Sequence, residues 1–164
     1  MNQTIDKSNE LQASVTLLND RLHFNGIVEN NQPVSIDYTP PLGDNLGYTS
    51  LELLLLSLGS CMGSSILTLL RRMRKDIHGL TMNIRGIRRN EHPTGFKTIF
   101  IEIYITTSNA TDADIAQVLK MSEDKYCPVW AMVKGNVEVN VKSTILTKNS
   151  TPEVQSHLEP DIVL

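Results

Sequence analysis

Two cysteines stand 66 positions apart (127 − 61), Cys61 and Cys127, and they are the residues in this chain most able to do covalent chemistry. A thiol becomes a useful nucleophile as its thiolate, and one way to lower its pKa is to set it at the N-terminus of a helix. Cys127 is followed by Pro128, which is tolerated at the first position of a helix and not deeper. The order therefore places Cys127 immediately before a helix and makes it the more acidic thiol. Cys61 lies within a long apolar run, where no backbone N–H is free, so its activation needs a charged neighbour from elsewhere in the fold. The alternative is two inert buried thiols, since free cysteine is among the most buried residue types. No C-x-x-C occurs, and His23, His78, His92 and His157 are too dispersed to nominate metal ligands. No cofactor is implied.

The element that must position Cys61 is the stretch from Tyr48 to Lys75, whose Leu53 to Leu70 segment carries no charge. Thr49 and Glu52 form a capping box at its start. Arg71, Arg72, Arg74 and Lys75 crowd its end, where positive charge suits the exposed carbonyls, and Gly79 lies just beyond. Gly59 and Gly63 flank Cys61 on one face. Glycines in a helix interior cost about 1 kcal/mol each relative to alanine, which implies that another backbone comes close there. The run is long enough for a membrane span, but no second span accompanies it and amphipathic strands follow. A core helix is the better reading, with no membrane association.

The elements around it follow from periodicity. Leu11, Ala13, Val15 and Leu17 alternate as a half-buried strand, and segments through Leu22 to Val28 and Val34 to Tyr38 continue an antiparallel meander. Past the helix, Leu80, Met82 and Ile84 alternate, and so do Ile99, Ile101, Ile103 and Ile105. Thr111 to Asp114 repeats the capping box before a short helix carrying Ile115, Val118 and Leu119. In the helix after Cys127, Val129, Trp130, Met132 and Val133 face the core and Gly135 ends it; a last strand runs from Val137 to Ile145. The reading is an α+β domain over 11–146, with helices on one face of an antiparallel sheet, a polar N-terminal segment at 1–10 and a tail at 147–164. At 164 residues and 40% apolar content there is material for one core. The net charge of −3 with scattered Lys and Arg argues against nucleic acid as a partner. No apolar signal core opens the chain, so a cytoplasmic protein is expected.

The segment S-L-E-L-L-L-L-S-L-G-S-C from Ser50 to Cys61, with D-K-Y-C-P-V from Asp124 to Val129 and the cysteine spacing, resembles the OsmC/Ohr family of osmotically inducible and organic-hydroperoxide-resistance proteins. The resemblance implies an OsmC-like fold, an intertwined homodimer with the long helices at its centre, and thiol peroxidase chemistry on organic hydroperoxides. Cys61 would be the attacking thiolate, Cys127 would close a disulfide with it, and a dithiol reductant such as a lipoylated protein would reopen the bridge. The family lowers the first cysteine's pKa with an arginine and a glutamate. Val34 to Tyr48 holds no arginine, so Arg88 and Arg89 stand as substitutes. Glu52 precedes Cys61 by nine residues, which at about 100° per residue sets the two on opposite helix faces, so capping explains it as well as catalysis does. The other functional reading is a redox sensor or small-molecule-binding protein on the same fold, without peroxidase turnover.

Overall fold

The structure, a computed structural model, describes residues 10–147. The N-terminal segment up to residue 9 and the tail from residue 148 lie outside the described residues. The chain divides into two compact units, Met1–Leu54 and Leu55–Leu164.

In the first unit β1 (Ala13–Leu17), β2 (Phe24–Val28) and β3 (Val34–Ile36) form an antiparallel sheet in the order β1-β2-β3. Leu17 pairs with Phe24 and Phe24 with Ile36. The alternation in β1 suggested a half-buried strand, but all five of its residues are exposed. Asn30 turns β2 into β3 at φ 60°, a left-handed conformation that asparagine tolerates. The loop after β3 is organised by Asp37, which is 1% exposed. The N–H groups of Tyr38, Asp44 and Leu46 donate to its carboxylate at 2.7, 3.1 and 2.9 Å. Burial works against its charge, yet the three N–H groups and nearby His23 hold its carboxyl below the usual carboxylate range. Gly43 is required here, because a Cβ would collide with the Asp37 carboxylate and the Tyr38 carbonyl.

Helix α1 (Ser50–Arg72) begins with the capping box read from the sequence: Thr49 N donates to Glu52 Oε2 at 2.6 Å, and Glu52 N to Thr49 Oγ1 at 3.4 Å. Its stop is not at Gly79. Lys75 N bonds the carbonyl of Leu70 and Arg74 N that of Arg71, a Schellman closure with Arg74 at φ 57° in the place glycine usually takes. Gly79 lies inside the next strand.

In the second unit β4 (Ile77–Arg88), β5 (Phe96–Thr107) and β6 (Glu138–Leu146) form a sheet ordered β4-β5-β6. β4 and β5 are antiparallel, but β5 and β6 are parallel, which corrects the expected all-antiparallel sheet. Between them run α2 (Asp112–Met121), a π-helical turn at Ser122–Tyr126 and α3 (Pro128–Val133). This helical crossover returns the chain to the same end of the sheet, as parallel pairing requires. Apolar alternation carries no information on strand direction. Ile99, Ile101, Ile103 and Ile105 are all at most 1% exposed, as the period-two pattern implied.

By length and composition alone α1 could cross a membrane. Its Leu58, Met62, Ile66 and Leu70 are nevertheless fully buried, each contributing about 1.5–3 kcal/mol. Gly59 sits under Ile84 Cδ1, and a Cβ on Gly63 would lie 3.1 and 3.2 Å from Leu80 and Met82. The glycines thus admit side chains of β4, not another backbone. The Thr111–Asp114 box caps α2, with Ile115 and Val118 buried. Trp130 and Val133 of α3 are buried, but Met132 is 75% exposed because a six-residue helix has room for only one covered face.

Candidate active site

Cys61 is carried by α1 between the two glycines that seat the helix on β4, and it is half-buried. Cys127 is the N-cap of α3, as Pro128 indicated, with its Sγ accepting the Trp130 N–H at 3.3 Å. Its own N–H closes the π turn on the Ser122 carbonyl at 2.9 Å. π turns are rare and concentrate at functional sites. The result is contact between the thiols: Cys127 Sγ donates to Cys61 Sγ at 2.9 Å. Ser65, one turn beyond Cys61, fastens the arrangement. Its hydroxyl lies 3.1 Å from both the Cys61 and Tyr126 carbonyls and ties α1 to the end of the π turn.

The electrostatics differ from the sequence expectation. Cys127 holds the helix N-cap, yet its pKa is pushed up to about 11. Burial is the first cause and the hydrogen bond to Cys61 the second; the N–H groups of Trp130 and Val129 act in the opposite direction and lose. With the residue 3% exposed and α3 only six residues long, desolvation outweighs the helix end. Cys127 is therefore a proton-holding donor to Cys61. Two polar groups flank it without partners among the described residues, the buried Ser122 Oγ and Trp130 Nε1.

Other residues singled out from the sequence are held elsewhere. The Glu52 carboxylate accepts the N–H and, at 2.9 Å, the hydroxyl of Thr49, so capping uses it. Arg88 Nε donates to the Thr94 carbonyl at 2.8 Å within the β4–β5 connection, and Arg89 to the Asn136 carbonyl at 3.1 Å. Neither guanidinium is brought to the thiols. Arg21 pairs with Asp44 at 2.7 Å inside the first unit. Among the described residues no three His, Cys, Asp or Glu side chains converge as metal ligands. Sequence reading missed Ser65 and Ser122. Ser65 carried a signal, its position four residues after Cys61 on the same helix face, whereas Ser122 becomes notable only through the π turn.

Chemically, two free thiols in contact suit a two-electron oxidation. A disulfide needs the sulfurs to approach by roughly 1 Å from where they stand, and an oxidised Cys61 sulfur would have the Cys127 thiol beside it.

Comparison with known proteins places this arrangement in context. The sequence profile described as OsmC-like protein matches residues 43–142, well over half of the chain. Protein YhfA of Escherichia coli K12 is 27% identical over 89 residues, 54% of this chain and 66% of YhfA, so the chain spans just under two thirds of that relative's length. Among solved structures, a hypothetical protein from Aquifex aeolicus superposes with a TM-score of 0.74 at 24% identity, covering 85% of this chain and 98% of its own. An OsmC like protein from Mycoplasma pneumoniae gives 0.74 at 19%, covering 85% and 99%. An organic hydroperoxide resistance protein from Elizabethkingia anophelis gives 0.66 at 15%, covering 87% and 100%. The structural likenesses establish the fold, and the profile match establishes that the chain belongs to the OsmC-like protein family.

Proposed function

We propose that the protein is a thiol-dependent peroxidase that reduces organic hydroperoxides through Cys61 and Cys127. The observation that carries this reading is the 2.9 Å contact in which the Cys127 thiol donates to Cys61 Sγ. In the first step the Cys61 thiolate attacks the terminal peroxide oxygen. The O–O bond breaks, the leaving alkoxide takes a proton to become the alcohol, and Cys61 is oxidised to a sulfenic acid. In the second, Cys127 sulfur displaces the hydroxyl of that sulfenic acid, water leaves with the thiol proton, and an S–S bond forms. A dithiol reductant, such as a lipoylated protein, then gives two electrons and two protons to restore both thiols. The proton held on Cys127 fits a resolving thiol that ionises only when it condenses.

The protein works as a homodimer in the cytoplasm, where thiols are kept reduced. Support for the dimer comes from large exposed apolar side chains in the first unit, among them Val15 at 62% and Leu17 at 53%. The hydroperoxide-resistance name of a structural neighbour supports the substrate class. A second reading, a redox sensor or small-molecule binder without turnover, is favoured by one observation: Arg88 and Arg89 are both engaged away from the thiols. Intact mass of the reduced protein after brief exposure to an equivalent of cumene hydroperoxide, with peptide mapping, tests the chemistry. The expected product lacks two hydrogens and carries a Cys61–Cys127 bridge. Peroxide turnover that persists in Cys61→Ser rejects the peroxidase cycle, and a single oxidation without turnover under any dithiol favours the sensor.

A further inference from the structure

Once Cys61 and Cys127 are joined, the bridge offers a reductant two sulfurs, and the one attacked decides which thiol leaves. Cys127 is held by its backbone on both sides: its N–H donates to the Ser122 carbonyl at 2.9 Å, and its carbonyl accepts the Ala131 N–H at 3.1 Å. Its sulfur accepts the Trp130 N–H at 3.3 Å and is covered, the residue being 3% exposed. The Ser65 hydroxyl, 3.1 Å from the Tyr126 carbonyl, pins the preceding residue to α1. A partner chain can only cover Cys127 further. Cys61 differs in kind, because the peroxide has to reach its sulfur. An approach to Cys61 is thus part of the peroxidase reading, whatever surface a second protomer covers.

Leaving-group chemistry taken alone favours attack on the other sulfur. A thiol leaves faster the lower its pKa, and that of Cys127 is pushed up to about 11, by burial first and by the hydrogen bond to Cys61 second. In the bridge the second cause is gone, since Cys127 has no proton to donate while it is bonded to Cys61. The N–H groups of Trp130 and Val129, which act in the lowering direction, remain. They face the sulfur on which negative charge develops as Cys127 departs, and they ease its release. Access then decides between the sulfurs. Displacement at a disulfide is in line, so a nucleophile attacking Cys127 needs the side of its sulfur turned away from Cys61. Reaching that side means unpacking α3, whose Trp130 and Val133 are buried.

We infer that the reductant attacks the Cys61 sulfur and that Cys127 is the leaving group, received by the Trp130 N–H. The inference rests on the peroxidase reading and fixes the course of its reductive half. One thiolate of the dithiol bonds to Cys61 Sγ, the Cys61–Cys127 bond breaks, and Cys127 leaves with the electron pair and takes up a proton. The second thiolate of the dithiol then attacks the first, closing the reductant's own disulfide and releasing Cys61, so that two electrons and two protons have passed to the protein. For the test, the bridge is closed with diamide, which removes two electrons and two protons from the pair, so peroxide turnover is not needed. The oxidised protein is treated with excess mercaptoethanol, quenched at early times with N-ethylmaleimide and mapped by mass. Mercaptoethanol on Cys61 with maleimide on Cys127 is expected in about tenfold excess over the reverse, and the two adducts should divide about evenly when the reaction is run in urea. Adduct mainly on Cys127, an even division in the folded protein, or the same excess in urea overturns the inference and leaves the peroxidase reading standing. Failure of diamide to close a Cys61–Cys127 bridge overturns both.

Discussion

Alanine at Gly59 and alanine at Gly63 should have opposite effects, although the two glycines are one helical turn apart on the same face. Each replacement gains about 1 kcal/mol of helix propensity. At Gly63 the new methyl would meet Leu80 Cδ2 at 3.1 Å and Met82 Sδ at 3.2 Å, the tips of two flexible side chains that need to yield a few tenths of an ångström. Much of the gain survives, so Gly63→Ala is stabilising by about 0.5 kcal/mol. At Gly59 the methyl would land on Ile84 Cδ1, and overpacking of that kind costs about 1–3 kcal/mol. The net effect is a loss of about 0–2 kcal/mol. Ile84→Val removes the obstructing methyl at a cost of about 0.5–1.5 kcal/mol on its own. The nearest atom is then Cγ1 of residue 84, 3.6 Å from where the alanine methyl would sit, an ordinary contact. The double variant Gly59→Ala/Ile84→Val should therefore be more stable than the sum of its parts by about 1–2 kcal/mol. Urea denaturation of the four proteins reads the cycle. Additivity within about 0.5 kcal/mol, or equal stability of the two alanine variants, would refute the claim that these glycines seat Cys61 by admitting β4 side chains.

Removing Cys61 should acidify Cys127. Burial, the first cause of the raised pKa, remains in Cys61→Ala, but the hydrogen bond to Cys61, the second, is deleted. Alkylation of Cys127, mapped by mass, should therefore accelerate at pH 9, where only about 1% of a thiol with pKa about 11 is ionised; an unchanged rate would contradict this. Asp114 is held down to about 2 by Lys75 at 2.7 Å and then by Thr111, so its folded pKa lies below its unfolded value. Its contribution is present above about pH 4 and lost as pH falls toward 2; Lys75→Met should flatten that part of the acid-unfolding profile, and a profile identical to the parent's would reject the pairing. Arg74→Gly should stabilise by about 0.5–1 kcal/mol, because φ 57° suits glycine better than arginine. A lower thermal midpoint in that variant would count against the Schellman reading of the helix end.

Local chemistry was legible in the sequence where neighbours in the chain complete it. Thr49 with Glu52 and Thr111 with Asp114 cap their helices because both partners lie within one turn, and the isoleucines of β5 share a buried face because alternation alone decides it. Cys127 at the N-cap was legible for the same reason. Its pKa was not, since desolvation comes from side chains distant in sequence, and it reversed the sign the cap suggested. The parallel pairing of β6 is likewise a property of the crossover rather than of β6. Arg74 gave no hint of a left-handed conformation, since glycine is the residue that advertises one. Asp37 looked like any loop aspartate, and only the convergence of three backbone donors marks it. Arg88 and Arg89 were attractive as cations, but Thr94 in the β4–β5 connection claims the first and the Asn136 carbonyl ahead of β6 claims the second.

The π turn at Ser122–Tyr126 makes the number of residues before α3 a constraint separate from their identity. A π turn is one residue longer than the α turn it replaces. A single-codon deletion within 122–126 would be absorbed as an ordinary α turn that keeps Cys127 over Ser122, whereas a single-codon insertion has no further slack in the turn and would rotate everything after it by about 100°. After such an insertion Cys127 would remain in the sequence, still followed by Pro128, while its sulfur faced away from Cys61. Substitutions along the exposed Asp124 and Lys125 should be tolerated by contrast. Among divergent copies of this gene, loss of the thiol contact would therefore show first as a lengthening of this segment, with both cysteines still encoded.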